Sequence, residues 1–220
     1  PSTVEFHGFA YPAAIINLLK DGANGGLTIA DDSGNFTFNL SNLSAGTYNF
    51  GFWAQDKLGR RSTTFSFQLV VSVSSNTKVS GIVLPPTITL NKNSVAPGEN
   101  ITVSGYSNPQ SQIRIQVAST PKDYIAKVLS KGEYSHTFST KDLERGLHSA
   151  KSKSEILKTG DESIYSQLVQ FGVGVKVAQS GCSKNADINN DGKVNLIDFS
   201  IMAYWWRRTL PQNSAVDLNC

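Results

Sequence analysis

Charge is scarce in this 220-residue chain: Asp, Glu, Lys and Arg make up 17% of it, and the formal net charge is +3. So weak and scattered a balance gives no electrostatic grip on nucleic acid. The basic doublets, Arg60-Arg61 and Arg207-Arg208, read as a solvated tip and a cation-favouring helix C-terminus. No apolar run approaches the length of a membrane helix. Histidine is nearly missing, and His7, His136 and His148 fall in strand-like patterns far from one another, which leaves no nucleophile with a base beside it. Neither a zincin or phosphate-loop motif, nor G-x-S-x-G, nor a Cys/His zinc spacing occurs. Asp31-Asp32 sits in turn chemistry rather than in a paired-carboxylate site. These absences predict a protein that is not an enzyme. The chain starts at Pro1 without a methionine or signal peptide, as a mature piece or a fragment of something longer would.

What is plentiful is Ser, Thr, Asn, 18 glycines and 8 prolines, a turn-rich β composition with enough apolar residues to fold. In the first 85 residues, segments such as Asn35-Phe-Thr-Phe-Asn-Leu40 and Thr47-Tyr-Asn-Phe-Gly-Phe-Trp-Ala54 alternate apolar and polar with period two. Turn clusters at Asp31–Asn35, Leu43–Gly46 and Asp56–Gly59 separate them, giving about seven strands and no helical period. Tyr48, Phe50 and Phe52 share one strand face and are assigned to a core, leaving Trp53 on the other face as a candidate sugar platform.

Residues 87–176 repeat the plan. Gly8-Phe-Ala-Tyr-Pro12 aligns with Gly105-Tyr-Ser-Asn-Pro109, Gly34-Asn-Phe36 with Gly132-Glu-Tyr134, and Leu43-Ser-Ala-Gly-Thr-Tyr48 with Leu143-Glu-Arg-Gly-Leu-His148. His148 thereby falls on a strand position, which makes it structural. Lys158-Thr-Gly160-Asp161 replaces the Asp56-x-x-Gly59 turn. An internal repeat of about ninety residues means two copies of one domain. Both copies resemble bacterial immunoglobulin-like domains, the first more closely, and the resemblance implies two β-sandwiches in tandem, residues 1–80 and 81–176. Polar residues 74–80 read as a linker and Leu84-Pro-Pro-Thr87 as a stiff joint, with Ala178–Cys182 a second, short joint.

The C-terminal stretch differs in kind. Asp187-Ile-Asn-Asn-Asp-Gly-Lys-Val-Asn-Leu-Ile-Asp198 places side-chain oxygens at loop positions 1, 3, 5, 9 and 12 and glycine at position 6. That is the spacing of a twelve-residue Ca²⁺ loop, because Ca²⁺ takes six to eight oxygens and the loop must reverse sharply at its glycine. Asp187, Asn189, Asp191, Asn195 and Asp198 would supply side chains and Lys193 its backbone carbonyl. The segment 182–220 resembles a type I dockerin, a module of two loop–helix units without an entering helix. Its second loop begins with Asp217 and Asn219 and stops at Cys220. The chain's two cysteines, Cys182 and Cys220, bracket this module; either they form a disulfide clasp, which suits an extracellular setting, or Cys220 is a loop residue and both thiols are free.

The helix expected after the loop carries one apolar stripe through Leu196, Phe199, Met202, Ala203 and Trp206, and a flanking one through Ile197, Ile201, Tyr204 and Trp205. The resemblance implies that Leu196 and Ile197, at loop positions 10 and 11, read a protein partner together with Ile201, Tyr204 and Trp205; the partner is a cohesin-like domain or a neighbouring subunit. Large apolar residues at those two positions depart from the dockerin pattern, and an intramolecular dock of the helix competes with the cohesin. The expected fold class is thus mainly β, two immunoglobulin-like sandwiches and a small α-helical, EF-hand-like module. The expected function is that of a non-catalytic, secreted or cell-surface scaffold or filament protein using Ca²⁺ for protein–protein assembly. The alternatives are a C-terminal accessory region of a secreted carbohydrate-active enzyme and a carbohydrate-binding adhesin.

Overall fold

Fifteen strands follow one another in the computed structural model, which describes residues 1–118, 122–177, 196, 199 and 200. The chain divides into two compact units, 1–177 and 178–220. In the first unit the strands are β1 (Ser2–Phe9), β2 (Ile15–Lys20), β3 (Ala23–Ile29), β4 (Asn35–Leu43), β5 (Gly46–Gln55), β6 (Phe65–Val71), β7 (Asn76–Val83), β8 (Thr89–Leu90), β9 (Ser94–Val95), β10 (Asn100–Tyr106), β11 (Ser111–Ala118), β12 (Lys122–Lys127), β13 (Glu133–Ser139), β14 (Gly146–Ile156) and β15 (Val169–Val173).

Each set of strands forms a two-sheet β-sandwich. The N-terminal sandwich packs β4-β1-β7 against β3-β2-β5-β6; the second packs β13-β10-β8 against β12-β11-β14-β15-β9. Period-two burial sets each register: along β11 the pattern alternates buried and half-buried through Ile113, Ile115 and Val117. Phe6 is fully buried and meets Phe50 and Phe52 edge-on, with ring centroids 4.9 and 5.1 Å apart. The second core gathers Ile101, Val103, Ile113, Ile115, Phe138 and Phe171.

The repeated motifs have physical causes. A Cβ on Gly8 would stand 2.4 Å from the Ile82 carbonyl oxygen and 2.6 Å from the Phe36 ring; on Gly105 it would stand 1.8 Å from the Thr87 carbonyl oxygen and 2.7 Å from the Tyr134 ring. Each glycine is the gap through which an aromatic of the neighbouring strand and a crossing backbone pass. The tyrosine and histidine that share an aligned position close the same corner: the Tyr48 hydroxyl donates to the Ser44 carbonyl at 3.0 Å, and His148 Nε2 lies 2.8 Å from the Glu144 carbonyl.

Two sequence expectations need correction. Residues 74–80, polar enough to pass for a linker, are mostly strand: β7 runs parallel to β1 from Thr3↔Asn76 to Phe9↔Val83. Alternation there is weak because only its last residues, Ile82 and Val83, are deeply buried. The Leu84–Thr87 joint is buried throughout, packed between the two sandwiches. Tyr48 is only half-buried, since its hydroxyl reaches the corner carbonyl at the surface, whereas Phe50 and Phe52 are fully buried.

Of the second unit the structure describes Leu196, Phe199 and Ser200, all in helical conformation; Leu196 and Phe199 are exposed, and the Ser200 hydroxyl donates to the Leu196 carbonyl at 2.7 Å.

Candidate functional site

The most elaborate polar arrangement among the described residues lies where the two sandwiches meet. It starts from a turn. Asp56 ends up with a fully buried side chain because the turn that follows β5 folds around it: Oδ1 accepts from the amides of Leu58 and Arg60 at 2.9 Å each, and Oδ2 accepts from Arg60 Nε at 2.7 Å. Gly59 completes the turn with φ of +79°, a conformation that favours glycine. One acceptor site on Oδ2 remains, and the Thr87 hydroxyl of the joint fills it at 2.8 Å.

Thr87 then reaches onward. Its Oγ1 accepts from the Tyr106 amide at 3.0 Å, its own amide donates to the Tyr106 carbonyl at 3.1 Å, and its carbonyl accepts from the Tyr134 hydroxyl at 2.7 Å. A single residue therefore links the β5–β6 turn of one sandwich to β10 and β13 of the next. Two more tethers cross the same boundary. Asn108 Nδ2 donates to the Ser33 and Gly34 carbonyls at 3.2 and 3.3 Å, and Lys57 Nζ lies 2.6 Å from Glu133 Oε1. The Lys57 and Arg60 cations flank the Tyr106 ring at 4.8 and 5.3 Å. The hydrogen bond from Lys57 holds the Glu133 carboxyl below its ordinary value, against a smaller opposing effect of desolvation. Burial, reinforced by the Asp56 charge, pushes the Tyr11 hydroxyl far up, and burial does the same for Tyr134, so both stay neutral donors.

In the second sandwich the residue aligned with Asp56 is Ile156, also buried, and its turn is held by backbone bonds to Gly160 and Asp161 instead. The buried carboxylate is thus peculiar to the first copy, the one whose turn faces another domain. The strand register, not the sequence repeat, sets Asp56 against Ile156, and nothing in the sequence shows that Thr87, 31 residues away, is the partner.

The other sequence candidates are dispersed. His7 Nε2 lies 2.9 Å from Glu5 on an outer sheet face, His136 meets Tyr124 in a tilted arrangement with centroids 4.8 Å apart, and His148 stacks on Phe171 at 5.5 Å. Asp31 caps its own turn, accepting from the Ser33 and Asn35 amides, and although desolvation acts the other way these bonds hold its carboxyl below the ordinary range. Trp53 is half-buried and carries the Arg61 guanidinium 3.9 Å above its ring, so that ring face is already occupied. Beside it on the same outer face lie Ile15, Leu27 and Ile29, all exposed. A cleft of about 350 Å³ opens at one end of the β4-β1-β7 sheet, lined by residues that include Val4, Glu5, Asn39, Leu40, Asn76 and Lys78.

Among the described residues no group of three or more His, Cys, Asp or Glu side chains is placed to hold a metal ion. The candidate calcium ligands Asp187, Asn189, Asp191, Lys193, Asn195 and Asp198 lie outside the described residues, as do Asp217, Asn219, Cys182, Cys220, Ile197, Ile201, Tyr204 and Trp205. Of the expected partner-reading residues only Leu196 is described, and it is 81% exposed. No helix among the described residues is long and apolar enough to cross a membrane.

No family model and no curated protein matches this chain. Solved structures do. The fibronectin(III)-like modules of Clostridium thermocellum CbhA match with 16% identity over 74% of this chain and 79% of theirs, at a TM-score of 0.29. The chicken interferon gamma receptor alpha chain matches with 12% identity over 74% of this chain and 85% of its own, at 0.35. A 1.5-MDa bacterial ice-binding adhesin matches with 16% identity over 76% of this chain and 54% of its own, at 0.30.

Proposed function

We propose that this chain is a non-catalytic, extracellular scaffold segment in which two sandwiches act as one stiff spacer and residues 182–220 act as a Ca²⁺-dependent, dockerin-like connector to a protein partner. The observation that carries the spacer half is the buried Asp56–Thr87–Tyr106 linkage. Two domains joined by an ordinary exposed linker move independently by default. Here the joint is buried, the Thr87 amide and carbonyl bind it to the second sandwich, and its hydroxyl bonds across to Asp56 of the first. A binding or catalytic site needs open, convergent polar groups, whereas this arrangement consumes its own.

The connector half is supported by the loop spacing from Asp187 to Asp198 and by the exposure of Leu196 and Phe199. In this reading Ca²⁺ neutralises three mutually repelling aspartates, so binding the ion and folding the loop are one event.

The test is affinity capture from the native surface fraction with the full chain as bait, in millimolar calcium and in EGTA. One dominant protein retained only in calcium, and not by the Asp187→Ala chain, supports the connector. Equal capture with and without calcium overturns it.

A further inference from the structure

The larger sheets of the two sandwiches correspond residue by residue, and their outer faces disagree. The row Ile29↔Ile15↔Gln55 of the first matches Lys127↔Gln112↔Glu155 of the second, and Leu27↔Asn17↔Trp53 matches Ile125↔Arg114↔Lys153. Where the second copy places two lysines, an arginine and a glutamate, the first leaves Leu27 64% exposed, Ile29 62% and Ile15 40%. The difference is concentrated on β3, which ends the sheet order β3-β2-β5-β6 and passes to β4 of the opposite sheet through residues 30–34. Its counterpart β12 also ends a sheet, but carries Lys122, Asp123 and Lys127. Charges, lysine above all, keep an edge strand from pairing with another chain. β3, Ala-Asn-Gly-Gly-Leu-Thr-Ile, has none.

The backbone of this edge is turned outward. The Ala30 amide donates to the Ala14 carbonyl at 3.0 Å, so Ala30 and Thr28, which pairs with Ile16, direct their polar groups to β2. Leu27 and Ile29 alternate with them and direct theirs away from β2, to a side where no strand lies among the described residues. Nearer the β2–β3 hairpin the register shifts between Leu18 and Leu19, and Gly26 has φ of +127°, which confines the regular edge to residues 27–29.

We propose that β3 is the contact through which two copies of this chain associate side by side. The second copy's β3 lies antiparallel about a two-fold axis at Thr28, so that Leu27 of each copy exchanges both backbone hydrogen bonds with Ile29 of the other. The two side chains then stand opposite one another on the outer face, and two four-stranded sheets become one. The occupant is a second β3 because this edge is its own complement, uncharged and with Leu27 and Ile29 placed symmetrically about Thr28. A neighbouring β12 fits poorly, since the same register sets Lys127 against Leu27. So short an edge buries far less than the roughly 800 Å² per partner of a stable interface, which places the dissociation constant at about 0.1 mM. Contacts of that strength act between chains already held close together. The pairing goes beyond the spacer reading and does not depend on the calcium loop.

The experiment is amide hydrogen exchange of the full chain by NMR, with sedimentation equilibrium reading the mass in the same samples. With that dissociation constant, exchange at Leu27 and Ile29 is about fourfold slower at about 1 mM chain than at about 0.02 mM. Ile125 and Lys127 are unchanged. Leu27→Lys, which copies the protection the second sandwich carries on its edge, abolishes the slowing and the dimer. Ile29→Lys does the same, and because both positions are exposed the two variants keep the natural Tm. A dimer in which the Leu27 and Ile29 amides exchange at unchanged rate overturns the proposal, because association then uses another surface. A dimer that survives both lysine variants overturns it too, as does a chain still monomeric at about 1 mM.

Discussion

Replacing Thr87 by valine tests the junction with almost no change of shape. The hydroxyl that donates to Asp56 Oδ2 at 2.8 Å and accepts from the Tyr106 amide at 3.0 Å becomes a methyl group. Losing a hydrogen bond to a buried charge costs about 1.5–3 kcal/mol, and stranding a buried amide costs about 1–3 kcal/mol. The two losses share one atom and are not additive, and the new methyl returns up to about 0.8 kcal/mol. The net expectation is a destabilisation of about 2–4 kcal/mol. For a unit of this size that lowers Tm by roughly 5–15 °C. The loss falls on the coupling, so the unfolding of residues 1–177, one cooperative transition in the natural chain, separates into two in Thr87→Val. Urea unfolding followed by far-UV circular dichroism, together with ¹⁵N relaxation of each sandwich, measures this. A single transition with a midpoint altered by less than about 0.5 kcal/mol, and unchanged tumbling anisotropy, would refute the assignment of Thr87 as the tie between domains.

Other outcomes follow from single residues. Gly105→Ala places a methyl 1.8 Å from the Thr87 carbonyl oxygen and should cost upwards of about 3 kcal/mol, whereas Gly98→Ala, with nothing within 4 Å but φ of +88°, should cost about 1 kcal/mol; thermal denaturation compares them. Phe6→Ala removes the ring at the centre of the first core and should destabilise by about 3–5 kcal/mol in urea. Glu133 titrates below its ordinary value of 4.5 in the folded chain, so its contribution is present above that pH and is lost as pH falls through the folded-state value. Lys57→Met should move the Glu133 titration seen by NMR upward and remove that part of the acid-limb dependence. Chelation with EGTA should lower the melting of 182–220 and leave both sandwiches nearly unchanged, and calorimetry should find Ca²⁺ affinity lost in Asp187→Ala.

Most of the sandwich plan could be read from the chain because its signals are local. Alternation in Asn35–Leu40 and Thr47–Ala54 places strands, and Gly8 and Gly105 mark the aligned crossings. β7 escaped notice because a strand that buries only its last residues carries a weak period and a polar composition. The buried joint escaped notice because two prolines suit an exposed linker and a packed crossing equally.

The sequence by itself determined the repeated domain, the strand faces and the Asp187–Asp198 spacing, since each depends on residues a few positions apart. Only the tertiary structure decided that Thr87 ties Asp56 to Tyr106, that β7 lies parallel beside β1, and that β9 pairs beside β15. Those are pairings between distant segments. Which buried donor meets which acceptor, and which edge is left open, follows from how complete sheets stack and not from any pattern along the chain.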